Sequence, residues 1–569
     1  MRLDRLLGSG LVATALLAGC ASGGAGIQPG ERAAPSAPPP RKTLIIANFG
    51  EPPQLAARSL VTTGGAFGIP PRFFNATFDI VDVREITHPN LVEALPRLDT
   101  DTWQVFPDGR METRYQLKPN LTWHDGTPLH AEDFVFAHRV YKTPELGSAT
   151  TRPIGQMAEV VAPDARTVVI RWSEPYVDAG ALGLTFQGLP RHILEEPFRT
   201  LDPVSFTSHP FWTLEYVGLG PYKLDRWEPG TFAAGSAFER HALGRPRIDQ
   251  IRIMFINDPQ TALASVLAGE IHYVANFMFS VTHGEVLEQQ WAQTRGGTVI
   301  YSPTQRRLGI IQMRPQYQQP RALAEPRVRY AVAHGLDDQT RVDVLDAGKG
   351  QVAYSLTSPG VPYYAEIDRA VLKHPYDARR AQELMAEAGW TKGADGFFVD
   401  ASGSRFTMKV TSTAGGKNEQ EAAVYVDSLR KVGFDAEQHV QSVAEQADGE
   451  ARATVPGISL RGAGQAFETH ISSQIPGPNN SWRGNNRGGW TNAEYDRVFV
   501  SLERTFALND RVAMIAQSER IVSIDRAITM NSWESQVNSV IAGLHGPEPR
   551  QTPDAGGTEG FVHTWEWRS

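Results

Sequence analysis

Few residues in this chain combine a reactive type with a useful spacing. Cys20 is the single thiol among 569 residues. It can form neither an intramolecular disulfide nor a cysteine-based metal site, so its chemistry is that of a lone nucleophile. His124, His130, Asp133 and His138 crowd together in sequence. A helical metal pair starting at His130 would need a second histidine four residues on, and that position is Phe134. The patterns G-x-S-x-G, H-E-x-x-H, Walker A and C-x-x-C do not occur. These residues therefore point to binding, without catalysis, metal or cofactor.

The setting of Cys20 gives its thiol a task. Arg2 and Arg5 make a short basic start, diluted by Asp4, and Leu6 to Leu17 is mostly apolar or small. That run is too short to span a bilayer and suits the apolar region of a secretory signal. It ends in Leu17-Ala18-Gly19-Cys20, which looks like a bacterial lipobox. Small residues there precede a cysteine whose sulfur carries lipid through a thioether, and two or three acyl chains anchor stably where one would be marginal. The expectation is a signal peptide over 1–19 and a protein exported to the periplasmic or cell-surface face of a membrane, held by Cys20. Residues 20–41 are rich in Ala, Gly, Ser and Pro and cannot bury enough surface to fold, so they read as a tether.

The remaining chain has a globular composition: 41% hydrophobic, 9% aromatic and 21% charged. Loss of residues 1–19 removes two arginines and one aspartate, which takes the formal charge from −8 to −9. A nucleic-acid partner is disfavoured, because such a binder needs a basic face. Twelve tryptophans without a disulfide suggest a large core that needs no staples. Thr43–Phe49 reads as a first strand, and 114–117 and Thr167–Trp172 as further strands. Asp377 is placed to cap a helix whose Ala378, Ala381, Leu384, Met385 and Ala388 share one face, with Gly389 as its stop. Residues 419–432 read as a second helix, after which Gly433-Phe434 returns to a strand. The mixture predicts an α/β body, and its length predicts more than one lobe.

From Leu91 to Tyr141 the sequence LVEALPRLDTDTWQVFPDGRMETRYQLKPNLTWHDGTPLHAEDFVFAHRVY resembles the signature of the family 5 extracellular solute-binding proteins of ABC importers. Leu91, Glu93, Trp103, Asp108-Gly109, Leu117, Trp123-His124-Asp125-Gly126, Pro128 and Ala131-Glu132-Asp133 fill the family's places. The likeness continues in order through PRHIL (190–194), GLGPYKLDRWEPG (218–230), the 248–274 segment, EPRVRYAVAHGLD (325–337), the 375–413 segment and GGWTNAEYDRV (488–498). The physical reading of these pieces is structural. Asp108-Gly109 and Asp125-Gly126 read as turns with positive φ at glycine. Asp133 reads as a helix-start residue, and Tyr495-Asp496 as a packing and capping pair.

The resemblance implies a two-lobed periplasmic-binding-protein-like fold of class II, with an extra subdomain in the first lobe and a ligand sealed in a hinge cleft. Residues 42–80, 215–305 and 535–569 would form the first lobe, 81–214 the inserted subdomain and 306–534 the second lobe. It further implies a monomer that captures a solute, peptide by family default, and passes it to the transmembrane subunits of an ABC permease. A membrane-anchored hydrolase and a binding module that feeds a sensor are the alternatives. Peptide-binding members place an aspartate of the second lobe against the ligand's α-amino group. The matching stretch here, 460–490, lacks aspartate, and Glu468 is its one acid. That stretch instead offers Arg461, His470, Trp482, Asn485, Asn486 and Trp490, which suit stacking, amide hydrogen bonds or a guanidinium clamp on an anion. Asn48 and Phe49 leave the C-terminal end of the first strand, where α/β ligands tend to bind. Phe67 and Arg72-Phe73-Phe74 could supply an aromatic floor there, with core packing as the alternative role.

Overall fold

The computed structural model describes residues 43–60, 70–149, 151–463, 467–480, 482, 484–552 and 557–568. The expected signal peptide, Cys20, the tether and Phe67 lie outside the described residues.

Eleven strands form the main sheet among the described residues. They are β1 (Thr43–Phe49), β2 (Tyr222–Glu228), β3 (Phe232–Ala237), β4 (Gln250–Ile256), β5 (Tyr273–Phe279), β6 (Gly297–Ile311), β7 (Gln351–Val352), β8 (Thr407–Thr413), β9 (Asp435–Gln441), β10 (Ile458–Ala463) and β11 (Ile528–Ile541). Their order is β9-β8-β10-β6-β11-β5-β1-β4-β3-β2, with β7 paired to β11. Each end has a parallel core: β1 lies between β4 and β5, and β8 between β9 and β10. A separate four-stranded antiparallel sheet joins Trp103–Val105, Met111–Gln116, Thr167–Trp172 and Met157–Asp164.

Local sequence accounts for most of these elements. The strand expected at 114–117 begins earlier, at Met111, because Met111, Thr113 and Tyr115 alternate inward and pair with Trp172, Ile170 and Val168. Helix Ala378–Glu387 starts where the Asp377 carboxylate accepts from the Arg380 N–H at 2.9 Å. It buries Ala381, Leu384 and Met385, and Gly389 follows with φ of 85°. The second expected helix spans Gly416–Val432, and Gly433 leaves it with φ of 124° toward β9. Gly109 and Gly126 turn with φ of 84° and 96°. Asp133 accepts from the His130 and Arg191 N–H groups and from Trp123 Nε1, so it ties two helix starts to one tryptophan. The Tyr495 hydroxyl donates to the Phe467 carbonyl, and the Asp496 carboxylate accepts from the Ser472 N–H.

The hydrophobic clusters divide the body into two lobes. One set runs from Leu44 and Ile46 through Trp123, Phe134 and Trp212 to Trp565, joined by the cluster around Leu263, Met278 and Trp291. The four-stranded sheet shares this first cluster with the strands around it. The other set contains Val332, Met385, Tyr425 and Phe434, and beside it Trp490, Met530 and Trp533. β6 and β11 contribute to both. Val299 and Val537 pack in the first lobe, and Leu308 and Met530 in the second. These two strands pair antiparallel from Gly297↔Ile541 to Ile310↔Ile528, so they are the crossing between lobes. Their register shifts between Pro303 and Gln305 and again between Arg307 and Leu308. Proline lacks a ladder N–H, and a bulge is where a sheet tolerates it and bends.

A buried charge network sits beside this crossing. Glu421 accepts from Arg307 Nε at 3.1 Å and Arg341 Nε at 3.0 Å. Asp346 pairs with Arg341 and Lys417, and Lys417 also reaches Glu534 on β11. Three cations thus meet three anions. Burial would push the Glu421 carboxyl up, but the guanidiniums of Arg307 and Arg341 outweigh it and hold the pKa low. Breaking such a network leaves an uncompensated buried charge and costs about 3–5 kcal/mol. Glu421→Gln is expected to lower the stability of the second lobe by that order. Glu383→Gln, whose partners Arg379 and Arg380 are on the surface, should stay within about 0.5 kcal/mol of the parent. Urea titrations followed by tryptophan fluorescence compare the two.

Candidate ligand-binding site

Two cavities lie where the lobes face each other. The first has a volume of about 390 Å3. The first lobe contributes Arg152, Tyr176 and Asp178, and the second contributes Arg306, Phe467 and Glu468 among others. Tyr176 and Asp178 follow strand Thr167–Trp172, and the Tyr176 ring stacks on Trp172 with centroids 5.1 Å apart. Arg306 projects from the crossing strand β6. Its guanidinium lies 4.7 Å over the Trp533 ring and donates to the Leu356 carbonyl. The buried carboxylate of Glu519 accepts from the N–H groups of Leu356 and Thr357 at 3.0 and 2.7 Å and from the Thr357 hydroxyl at 2.7 Å. This holds the loop after β7 against the cavity. Burial pushes Glu519 up in pKa, partly offset by those hydrogen bonds and by Arg306.

The lobes touch around this cavity. Arg152 pairs with Glu503, approaches Glu468 at 4.0 Å and lies 5.6 Å over the Phe499 ring. Arg504 reaches Glu174 at 3.2 Å, and Phe506 meets Trp103 edge-on at 5.6 Å. Volume, mixed lining and contributions from both lobes match a cleft that can close on a small polar ligand. The second cavity, about 550 Å3, lies at another place along the crossing. Met278, Ser280 and His283 face Leu345, Lys417 and Gln420 there, with Glu534 and Gln536 of β11 between them. Among the described residues no group of three or more His, Cys, Asp or Glu is arranged to hold a metal.

The residues expected from sequence fall in several places. Glu468 lines the 390 Å3 cavity. Asn48 is buried, and its amide donates to the Gly50 carbonyl at 2.9 Å, shaping the turn after β1. Phe49 is 39% exposed and borders none of the cavities described here. Arg72 lines a separate cavity of about 250 Å3 within the first lobe, and burial lowers its pKa. Arg461 lies beside Arg487 and Arg452 on the second lobe and donates to the Asn485 carbonyl at 2.9 Å. Burial first, and then Arg487, brings its pKa down to about 10. His470 is buried near Arg461 and Arg306, and its pKa falls to about 3, with burial the largest cause. Trp482 adopts φ of 59° and lines a cavity of about 380 Å3 with Arg314 and Tyr317. Asn486 and Trp490 are buried, and their side chains bond within the protein. The Asn486 amide donates to the carbonyls of His470, Ile471 and Trp490, and Trp490 Nε1 donates to Asp525 at 2.9 Å. Asn485 is exposed.

The cavity also gathers residues that the sequence reading passed over. Arg306-Arg307 interrupts an apolar strand run, and that break in patterning was the available signal. Tyr176, Asp178 and Arg511 carry none, because nothing in their neighbourhoods departs from an ordinary loop or surface helix.

Comparison with known proteins places this architecture. The oligopeptide-binding protein AppA of Bacillus subtilis is 24% identical over 490 residues, covering 84% of this chain and 83% of that protein. Among solved structures, the oligopeptide binding protein of Thermus thermophilus complexed with a pentapeptide superposes with a TM-score of 0.74 at 20% identity. It covers 92% of this chain and 96% of that one. NikZ from Campylobacter jejuni, in complex with Ni(L-His), gives 0.73 at 20% identity over 93% of this chain and all of its own. The sequence pattern of the bacterial extracellular solute-binding proteins, family 5 Middle, matches residues 93–483. The chain belongs to the bacterial extracellular solute-binding proteins of family 5, and its two-lobed fold is theirs.

Proposed function

We propose that this protein is the substrate-binding lipoprotein of an ABC importer: it captures a short peptide or similarly small polar solute between its lobes and presents it to a permease. The observation that carries this reading is the 390 Å3 cavity lined from both lobes, since only closure of the two brings its walls together. The named relatives support the solute class, with oligopeptides in AppA and the Thermus protein and a nickel–histidine chelate in NikZ. The protein acts as a monomeric binder and not as an enzyme. Residues 42–80, 215–305 and 535–569 make the first lobe, 81–214 its inserted subdomain and 306–534 the second lobe. Lipid on Cys20 keeps the body at the outer face of a membrane, close to its permease.

A ligand that binds only the closed protein stabilises it by RT ln(1 + [L]/Kd), about 2.7 kcal/mol at a hundredfold excess over Kd. Di- and tripeptides are expected to raise the melting temperature in a concentration-dependent way and to reduce the radius of gyration in X-ray scattering. A stabilising sugar or metal chelate with inert peptides would replace the peptide class, and no response from any of the three would sink the binding reading. For the anchor, Cys20→Ser should move the protein from the detergent phase to the aqueous phase in a Triton X-114 partition and remove the acyl mass from its N-terminal peptide. A variant that stays in the detergent phase would rule out lipidation at this thiol.

A further inference from the structure

Among the described residues, seven charged side chains line the 390 Å3 cavity: Glu85, Asp178, Glu468 and Glu503 against Arg152, Arg306 and Arg511. Six of them have a partner in the protein. Arg152 takes Glu503 closely and lies 4.0 Å from Glu468, so each acid of the second lobe has a cation within ion-pair range. Glu85 accepts from the Thr552 hydroxyl. Arg306 donates to the Leu356 carbonyl, lies over the Trp533 face and interacts with the charge of Glu519. Arg511 donates to the carbonyls of Leu502 and Thr505 at 3.2 and 3.3 Å.

Asp178 is the exception. Its side chain makes no hydrogen bond and no ion pair with the described residues, and it is open to solvent through the cavity it lines. The protein packed around that opening still strips much of the water from the carboxyl. This desolvation outweighs Arg511 and Arg152, which act at a distance without closing a pair, so its pKa is raised. An exposed carboxylate without a partner gains little from the protein around it. Tyr176, two residues earlier, sets an aromatic ring in the same cavity wall. Carboxylate and ring together suit an ammonium or guanidinium group.

Building on the solute-binding reading above, we propose that Asp178, from the first lobe, is the residue that receives a cationic nitrogen of the ligand. Glu468, the one acid in the 460–490 stretch, already has Arg152 at 4.0 Å, whereas Asp178 has no cation within ion-pair range among the described residues. The ligand is then a small molecule or short peptide with a free primary amine or a guanidinium.

The test uses the full chain, with trialanine, arginine and putrescine as cationic probes and N-acetyl-trialanine as the blocked counterpart, measured by calorimetry. At least one cationic probe should bind. Acetylation should weaken trialanine at least tenfold, and Asp178→Asn should weaken every cationic probe at least tenfold. Asp178→Glu should recover part of the loss. Without ligand, Asp178→Asn should melt at or above the parent temperature, whereas a carboxylate with a structural role would melt lower. Equal binding of free and acetylated trialanine, or parent-like affinity in Asp178→Asn, would overturn the assignment and leave the solute-binding reading standing. If no probe binds, mass spectrometry of the ligand that copurifies with the native protein decides. A ligand without a basic nitrogen overturns the assignment, and the absence of any ligand, together with no response to peptides, sugars or chelates, removes the binding reading as well.

Discussion

The antiparallel pairing of β6 with β11 is the constraint on which the rest of this molecule depends. Both strands run from one hydrophobic cluster into another, so each lobe is completed by the same two segments. Their ladder slips at Pro303, where a missing N–H and a bulge let the sheet bend without leaving an unsatisfied donor inside a regular run. The buried network of Arg307, Glu421, Arg341, Asp346, Lys417 and Glu534 fixes helices 338–345 and 416–432 against that crossing. Such a network is a poor source of net stability, because desolvation of six charges offsets most of the attraction. Its effect is geometric: the ion pairs tie both helices to the crossing strands.

The cavity inherits its order from this frame. Arg306 stands one residue before Arg307, and successive strand residues point to opposite faces. One arginine therefore enters the network while its neighbour lines the ligand space. Glu519 extends the arrangement by holding the Leu356–Thr357 loop through two N–H groups and a hydroxyl. On the wall supplied by the second lobe, Arg306 and the Leu356–Thr357 loop are thus tied to the protein around them. On the wall supplied by the first lobe, Asp178 has no such tie among the described residues, and the difference gives the site a direction.

How much of this could be read from the sequence differs by level. Strand β1, the capped helix at 378–387 and the glycine turns at 109 and 126 were legible because each follows from neighbours within about four residues. The same holds for the ordered family motifs, whose residues prove to be turn, cap and packing groups, as Asp133 and Tyr495 show. The candidate ligand residues fared differently. Trp490 and Asn486 have side chains typical of binding sites, yet Asn486 spends its amide on its own loop and Trp490 its indole N–H on Asp525. Composition cannot separate a tryptophan that stacks on a ligand from one that closes a core, since both need the same surface and the same N–H partner.

By itself the sequence determined the family, the α/β character, the local elements and the expectation of a lipid-bearing Cys20. All of these are written in contiguous residues. Tertiary structure alone decided which charges are quenched and which are open. Glu468 looks free in sequence and stands 4.0 Å from Arg152, more than 300 positions away. Asp178 looks like any loop aspartate and faces the cavity without a partner. A carboxylate's role depends on what lies within a few ångströms, and that is fixed only when the crossing strands bring two distant parts of the chain together.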